Sequence, residues 1–367
     1  MTKPEISQAL RTSTITIQVP KLHGFMVDLL VAGGISREDA RKCSDVFLDA
    51  DMKGIGLQGL DHISTLLRHV KVGRTNPSAS PKLVRETAAT AVIDGDFGLG
   101  QISALVAVDI AIRKAREAGC ATVGVINGGD VFMVGHYAER IARANLVAFV
   151  FSDSPPLVHV AGGVERSVGT NPLAIGFPSA GEDPIVHDMS TSAISASRIR
   201  QAAYFGEELP DGLGVNKDGK PTNKAADIRE GAIAPLAGHK GFGLALSVAL
   251  LAGPLVGALC GKALDNWMTD EPGPGASRGQ LFIAIDPAAF GDPDVFRRKV
   301  TGYADEIKGS AKAPGVKSIR VPGERGYATR RQQYAGGTVE MYQAVWDRAV
   351  ELGRTFGVTA PEVTRKA

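Results

Sequence analysis

Short apolar runs alternate with helix-like segments through the middle of the chain, and this alternation constrains the fold more than any other feature. Strands are predicted at residues 91–93, 121–126 and 147–151, where aliphatic and β-branched side chains concentrate. Helices are predicted between them, at residues 102–117 and 137–144. Strands that alternate with helices in this way are typical of α/β domains, so we predict the α/β class.

The segments on either side of this region predict a second, helical unit. Ser36, followed three residues later by Asp39, resembles a helix capping box, and this helix should end near Gly54. Pro77 and Pro81 mark a boundary before the first strand of the alternating region. We therefore predict a helical N-terminal unit at residues 1–80, packed against residues 300–367, and an α/β cofactor-binding domain at residues 81–299.

Further elements follow from the same patterns. We predict strands at residues 15–19, 173–177, 185–188 and 281–285, and helices at residues 23–32, 60–70, 241–259, 293–308 and 337–357. Residues 206–229 form a long polar segment, and residues 308–322 a basic surface linker.

Charge and composition exclude several classes of function. The chain carries 41 basic and 39 acidic residues, without a Lys/Arg run interleaved with aromatic residues, which argues against nucleic acid or a membrane surface as partner. Pro254 interrupts the longest apolar stretch, residues 244–259, and the N-terminus lacks the pattern of a signal peptide. We therefore expect a cytoplasmic protein that acts on a small molecule.

Cysteine and histidine spacing argues against a metal centre. Cys43, Cys120 and Cys260 are odd in number, far apart and in apolar contexts, so we expect buried free thiols. The Cys-x-x-Cys, His-x-x-x-His and His-Glu-x-x-His spacings do not occur, and no metal is expected.

Glycine is the residue type in clearest excess: the 367 residues include 44 glycines, whereas an average usage of about 7 in 100 would give far fewer. Three of these glycines lie in the segment from Ala50 to His62, between two predicted helices. Such a turn can present side chains to a ligand, since glycine allows close approach of the backbone. The alternative is an ordinary helix–loop–helix connection.

Two other glycine clusters do not match the dinucleotide fingerprint. Residues 95–100 and 238–243 have the glycine spacing reversed, and no Gly-Lys-Ser/Thr follows, so neither a Rossmann unit nor a P-loop is indicated. Lys240 and Gly241 nevertheless open a predicted helix, where a lysine and backbone N–H groups suit a phosphate. The alternative at this position is a plain glycine-rich helix start.

A series of polar motifs is more specific than any of these pieces. In chain order the motifs are Gly169-Thr-Asn-Pro172, His187-Asp-Met-Ser-Thr-Ser192, Asp218-Gly-Lys-Pro-Thr222, Pro235-Leu-Ala-Gly-His-Lys-Gly241, Leu281-Phe-Ile-Ala-Ile-Asp-Pro287 and Val321-Pro-Gly-Glu-Arg325. The series resembles the malate/L-lactate dehydrogenase-like family of NAD(P)-dependent reductases of 2-oxo acids and cyclic imines. The resemblance extends from about Ser36 to Arg325.

This resemblance implies a family-specific, non-Rossmann NAD(P)-binding fold, a homodimer with the site close to the subunit interface, and NAD or NADP as cofactor. It places the cofactor along three segments and a nearby turn. The implied cofactor-binding residues are Thr170, Asn171, Asp188, Met189, Ser190, Ser192, His239, Lys240, Gly323, Glu324 and Arg325. Hydroxyl groups in this set suit ribose and phosphate, and Lys240 and Arg325 suit phosphate charge.

The chain departs from the family pattern where substrate chemistry is expected. The pattern Ala-Asp-x-Arg-Gly-x-Asp-Ser-His-Gly-x-x-Arg aligns with Ala50 to His62, so Gln58 stands at the proton-donating His and His62 at the carboxylate-binding Arg. In a second signature, Asn-Ser-Asn-His-Phe-Gly, the His is replaced by Asp130. Because Gln cannot act as a general acid, the usual proton donor is missing.

Three residues remain as candidates for proton transfer: His62, Asp130 and Asp188. His62 lies four residues after Gln58 and would share its face if the helix begins there. The alternatives are a structural histidine at His62 and a turn residue at Asp130. We predict an NAD(P)-dependent oxidoreductase that transfers a hydride between nicotinamide and a small polar substrate, a 2-oxo or 2-hydroxy acid or an imine. The departures predict an atypical substrate pocket, in which Asp130 could pair with a cationic group. The alternative is a family member that binds the cofactor but has lost the dehydrogenase reaction.

Overall fold

The structure, a computed structural model, describes residues 13–264 and 277–366. Residues 1–12 of the predicted N-terminal unit lie outside this range. The strands are β1 Thr14–Gln18, β2 Lys82–Glu86, β3 Thr90–Asp94, β4 Cys120–Gly128, β5 Val147–Ser152, β6 Val158–His159, β7 Arg166–Val168, β8 Leu173–Phe177, β9 Ile185–Met189, β10 Gly214–Val215, β11 Ala232–Ile233, β12 Arg278–Ile285, β13 Thr338–Tyr342 and β14 Thr364–Lys366. The α-helices are α1 Val19–Ala32, α2 Arg37–Met52, α3 Ile63–Lys71, α4 Gly100–Ala118, α5 Val134–Arg143, α6 Ala196–Phe205, α7 Ala225–Glu230, α8 His239–Ala252, α9 Pro293–Lys308, α10 Glu324–Gly336 and α11 Gln343–Phe356.

A seven-stranded sheet lies at the centre, with the order β2-β3-β4-β12-β5-β8-β9. Strands β3 and β4 run parallel, and the other neighbouring pairs in this sheet are antiparallel. Strand β12 is central and buried along most of its length, as expected for a strand covered on both faces. The predicted α/β class is confirmed, and the mostly antiparallel sheet differs from the parallel sheet of a Rossmann domain.

Helices cover both faces of this sheet. Val123 and Val125 of β4 pack in one core with α4 and α5. Gly124 between them points the other way, where an added Cβ would lie 2.6 Å from a methyl of Val256, just after α8. The small sheet β10-β11-β6-β7 packs with α6 and α7 around a separate apolar cluster. The site described below lies between these layers.

The two ends of the chain share one core. Strand β1 pairs antiparallel with both β13 and β14. Ile15, Ile17 and residues of α1, α2 and α3 pack with α11, where the ring centroids of Phe25 and Trp346 are 5.5 Å apart. The N-terminal helices are therefore held by the C-terminal segment, next to the central sheet.

Several predicted boundaries were wrong. The first helix begins at Val19 rather than residue 23, because Pro20 is tolerated in the first turn of a helix. The helix predicted at residues 241–259 ends at Ala252, where the N–H of Gly253 bonds to the carbonyl of Ala249 and Pro254 follows. The helix predicted from residue 60 begins as a 3-10 turn and becomes α-helical at Ile63.

Other errors concern elements with distant partners. The predicted helix at residues 337–357 begins as strand β13, because its backbone pairs with β1 at the opposite end of the chain. Helices α6 and α10 were not predicted, and the polar segment 206–229 contains β10 and most of α7. Such short elements depend on tertiary contacts more than on local pattern.

The predicted burial of the three thiols was wrong in part. All three cysteines are free, but only Cys43 is buried; Cys120 is exposed and Cys260 is half-buried. Cys120 is exposed because it begins β4 at the end of the sheet, directly after the turn at Gly119. Within the described ranges, no helix is long and apolar enough to span a bilayer, and no cluster of three metal-ligating side chains occurs.

Candidate active site

The turn that follows α2 is fixed by one buried carboxyl group. Asp51 is 3 % exposed and accepts a hydrogen bond from the Leu60 N–H at 2.9 Å. An added Cβ at Gly59 would overlap this carboxyl group, so the turn requires glycine here. Two 3-10 turns, Gly56–Gln58 and Leu60–His62, result on either side of Gly59. The helical face predicted for Gln58 and His62 is therefore not formed.

Both side chains nevertheless reach the same cavity of about 300 Å³. The four candidate catalytic residues, Gln58, His62, Asp130 and Asp188, all line it. We call this space the substrate cavity. Its described lining also includes Thr170, Met189, Ser190, Ser197 and Arg278. Residues far apart in sequence thus meet at one place.

His62 is buried and neutral at ordinary pH. Its Nε2 lies 3.3 Å from the hydroxyl of Ser197, and its ring centroid lies 4.9 Å from that of Phe132. Burial, assisted by the nearby charge of Arg200, lowers the pKa of His62 to about 4. A neutral imidazole can donate a hydrogen bond, but it is not the cation that would replace an arginine.

Asp130 forms an ion pair inside the same cavity. Its Oδ2 lies 2.9 Å from Nη1 of Arg278, and its Oδ1 accepts the Phe132 N–H at 2.9 Å. Burial alone would raise the pKa of Asp130, but the charge of Arg278 and the hydrogen bond from the Phe132 N–H lower it. Asp130 is therefore ionised at neutral pH and poorly suited to donate a proton.

Sequence reasoning missed Arg278. This arginine is 4 % exposed and begins β12, and the register of β12 against β4 shifts between Arg278 and Gln280. Such a bulge re-aims side chains at the end of a strand. The only signal in the sequence was a single arginine just before an apolar strand. Local sequence patterns do not distinguish such a buried arginine from one on the surface. Ser197 was missed as well, because α6 was not predicted.

Asp188 combines access with a shifted pKa. Its Oδ2 accepts the Gly135 N–H at 2.8 Å, and the residue is open to the cavity at the end of β9. Because the walls of the cavity keep bulk water from the carboxyl group, its pKa is raised to about 6, against the opposing effects of the Gly135 N–H and Lys53. Of the three predicted candidates for proton transfer, Asp188 thus titrates nearest to neutrality.

A second cavity of about 450 Å³ adjoins the first, and we call it the cofactor cleft. Asp188, Ile55 and Met133 line both spaces, so the two lie side by side. The described lining of the cofactor cleft also contains four cationic or polar side chains and a glycine: Lys53, His187, Arg320, Arg325 and Gly323. A cationic cleft leading to a smaller polar cavity suits an elongated anionic ligand.

The loop before α10 forms one wall of this cleft. Gly323 has φ +89°, and an added Cβ would lie 2.8 Å from the ring of Tyr327, so glycine is required. Glu324 accepts the Val321 N–H at 3.2 Å and lies 3.4 Å from Nζ of Lys308. Glu324 therefore holds the loop in place, while Arg325 is exposed on the cleft.

Lys53 is part of a buried ion-pair cluster at the same cleft. Its Nζ lies 2.7 Å from Asp49 and 2.5 Å from Glu139. Arg330 contacts the same two carboxylates, each at 2.8 Å. The cluster joins α2, α5 and α10, so the charge of Lys53 is compensated and the cleft wall is rigid.

The turn at Thr170 is held from behind by Asn171. The Asn171 side chain is fully buried: its amide donates to the Ala245 carbonyl at 2.9 Å and its oxygen accepts from the Ser154 hydroxyl at 3.1 Å. Asn171 thus shapes the turn, and Thr170 lines the substrate cavity. Ser192 donates to the Ile194 carbonyl at 2.8 Å.

His239 and Lys240 are placed differently from the rest of the predicted set. They begin α8, are exposed, and are absent from the described lining of the substrate cavity and the cofactor cleft. The segment just before them contacts the residues that follow β9, since the Leu236 N–H bonds to the Thr191 carbonyl at 3.0 Å. The structure does not bring these two residues to the other candidates.

Comparison with known proteins gives a consistent result. The family model for malate/L-lactate dehydrogenase matches residues 17–349. L-sulfolactate dehydrogenase of Methanocaldococcus jannaschii is 36% identical over 330 residues, which cover 89% of this chain and 94% of that protein. Delta(1)-pyrroline-2-carboxylate reductase of Ancylobacter novellus is 32% identical over 324 residues, covering 88% and 93%. Ureidoglycolate dehydrogenase (NAD(+)) of Escherichia coli O157:H7 is 29% identical over 316 residues, covering 86% and 90%.

Solved structures show the same fold. Malate dehydrogenase from Entamoeba histolytica superposes with a TM-score of 0.88 at 26% identity, covering 95% of this chain and all (100%) of that one. The similarity in fold therefore extends over nearly the whole chain.

Proposed function

The chain belongs to the malate/L-lactate dehydrogenase family and is a dehydrogenase or reductase, and we propose that it transfers a hydride between NAD or NADP and a small 2-oxo acid, 2-hydroxy acid or cyclic imine. The observation that carries this proposal is the position of Asp188. It lies where the cofactor cleft meets the substrate cavity, with a carboxyl pKa raised to about 6. A group that can exchange a proton near neutrality is what a hydride-transfer reaction needs beside the cofactor.

The cofactor cleft fits a nicotinamide dinucleotide by its chemistry. Arg320, Arg325 and backbone N–H groups at the start of α10 suit phosphate oxygens. Thr170 and Ser190, on the substrate-cavity side, suit ribose or amide groups. The bound nicotinamide would supply or accept the hydride. One of the named relatives is an NAD(+) enzyme, which supports this class of cofactor.

The residues of this chain would orient the substrate and move the proton. In the reductive direction, the neutral form of Asp188 donates a proton to the oxygen or nitrogen of the substrate, and the carboxylate takes it back in the oxidative direction. The amide of Gln58 and the neutral imidazole of His62 line the same cavity and can donate hydrogen bonds to that atom.

The presence of Gln58 and a neutral His62 in the cavity favours an imine over a ketone as substrate. A carbonyl that receives a hydride becomes an alkoxide and must gain a proton, whereas a protonated imine becomes a neutral amine. Gln58, which cannot donate a proton, is better tolerated by the second reaction. One of the relatives by name reduces a cyclic imine carboxylate, which supports this choice.

A homodimer is also proposed. Leu246 and Leu250 lie one helical turn apart on α8 and are 42% and 50% exposed; Leu255 and Leu259 follow, at 64% and 49%. An apolar stripe of this kind suits burial against a second copy. We also propose a cytoplasmic location, which rests on the sequence alone.

Steady-state assays test the proposed function. Nicotinamide absorbance is followed with NADH and NADPH against a panel of 2-oxo acids and cyclic imine 2-carboxylates. Turnover of at least one pair supports the proposal. Binding of cofactor without turnover of any compound would instead favour a family member without the reaction, which the enzyme names of the relatives do not favour.

A further inference from the structure

We propose that Arg278, held in place by Asp130, binds the carboxylate of the substrate. Arg278 would thus take the role that the family pattern gives to an arginine at the position of His62. The inference rests on the proposed function and names the substrate more closely: a molecule with one carboxylate and an imine nitrogen. Arg278 lies in the lining of the substrate cavity together with Gln58 and His62.

The guanidinium has the capacity for a second anion. Arg278 is 4 % exposed, and its contact with Asp130 uses Nη1. An arginine side chain carries five N–H donors in a planar fork, so one contact with one carboxylate oxygen does not exhaust them. A buried guanidinium in the lining of a polar cavity can therefore hold a ligand carboxylate by charge-assisted hydrogen bonds.

Asp130 is occupied in supporting this arginine. One oxygen accepts the Phe132 N–H and the other contacts Arg278. The loop that carries Asp130 is itself held by Gln280, whose amide donates to the Gly129 carbonyl at 3.1 Å. Asp130 is thus better placed to orient Arg278 than to pair with a cationic group of the substrate, as the sequence had suggested.

The remaining charges select the kind of molecule. The charged residues in the described lining of the substrate cavity are Asp130, Asp153, Asp188 and Arg278. Burial raises the pKa of Asp153 to about 6, as it does for Asp188, so both are largely ionised at pH 7. Three carboxylates and one guanidinium disfavour a substrate with two negative groups. An imine with a single carboxylate complements them. Its nitrogen takes the proton of Asp188 and then pairs with the carboxylate that this transfer leaves, while its carboxylate binds Arg278.

Paired ligands test this assignment directly. L-Proline and L-prolinamide, which differ only in the carboxylate, are compared for binding by calorimetry in the presence of cofactor and for oxidation at steady state. The wild-type protein should favour L-proline. In R278Q the preference should fall on the order of 100-fold, mainly through KM and Kd, because the charge-assisted bonds are lost. R278K, which keeps the charge without the fork, should lie between the two.

A matched control removes a buried cation elsewhere. Lys114 is 3 % exposed and lies 2.8 Å from Glu86, near the end of α4 opposite to the one that contacts the Asp130 loop. K114Q should leave the preference for L-proline unchanged. Should R278Q fail to fold, R278K and the double variant D130N/R278Q, which removes both charges, provide the same comparison.

Three outcomes would overturn the inference. An unchanged preference in folded R278Q or R278K shows that the carboxylate is bound elsewhere. Equal loss in K114Q shows a general effect of destabilisation. If the wild-type protein reduces 2-oxo acids but neither binds L-proline nor reduces a cyclic imine 2-carboxylate, the proposed function stands and the substrate assigned here is wrong.

Discussion

The carboxyl group of Asp51 accepts the backbone N–H of Leu60 at 2.9 Å, and this side-chain contact ties down the turn that carries Gln58 and His62 into the substrate cavity. The contact is buried, and the Gly59 backbone passes directly over the carboxyl group. The position of two candidate site residues therefore depends on a residue that lies outside the site.

The variant G59A should be strongly destabilised. Its methyl group would overlap the Asp51 carboxyl group, which cannot move without losing the Leu60 hydrogen bond. We expect a loss on the order of 2–4 kcal/mol in the free energy of unfolding, measured by urea denaturation. G302A is the matched control, because an added Cβ there meets open space within helix α9. That variant should be neutral or more stable by about 0.5–1 kcal/mol; equal losses would contradict the role of the turn.

Asp51 should also make stability depend on pH. Burial raises its folded-state pKa to about 7, well above the value of about 3.9 expected in the unfolded chain. The folded state therefore holds the proton more tightly, and the contribution of Asp51 to stability falls as pH rises from about 4 to about 7. Relative to D51N, which keeps an oxygen for the Leu60 N–H, wild-type stability should decline by on the order of 2–4 kcal/mol across that range. Parallel pH profiles of the two proteins would contradict this account.

Arg325 should contribute to cofactor affinity. The side chain is exposed on the cofactor cleft, where a cation suits a phosphate. R325Q should raise the Kd for NADH or NADPH about tenfold, measured by fluorescence titration, with the largest effect at low ionic strength. R140Q is the control, since Arg140 forms an exposed pair with Asp109 and does not line the cleft. An equal rise in Kd in both variants would show that the net charge of the protein, and not a contact of Arg325 with the cofactor, sets the affinity.

The fold was largely predictable from sequence, and the site only in part. Strands such as β5, with its strict alternation of buried and half-buried residues, and helix α9, capped by Asp292, follow from local pattern. Strand β13 could not be predicted, because its partner β1 lies more than 300 residues away. The same holds for Arg278, whose role depends on its ion pair with Asp130. The two residues lie on neighbouring strands, Arg278 at the start of β12 and Asp130 just after β4. Motifs identified Gln58, Asp130 and Asp188, but their charges and partners required the three-dimensional arrangement.

Replacing Gln58 with histidine should change the substrate range. Gln58 lines the substrate cavity but has no titratable proton. Q58H would supply a proton donor, and its kcat/KM for a 2-oxo acid should rise at least about tenfold relative to the wild-type protein. Q58N serves as control, because it keeps an amide without adding a proton donor. An equal fall in kcat/KM in both variants would show that the size and shape of the Gln58 side chain matter, and not the lack of a proton donor.

The central claim is that Asp188 exchanges the proton of the reaction, and the pH dependence of kcat in D188N tests it most directly. With a pKa raised to about 6, the neutral acid needed for reduction is lost as pH rises, so wild-type kcat for reduction should fall as pH rises through about 6. The oxidative rate should rise over the same range. In D188N both rates should drop on the order of 100-fold and lose this pH dependence when cofactor is saturating. A D188N enzyme that keeps the wild-type rate and pH profile would contradict the account.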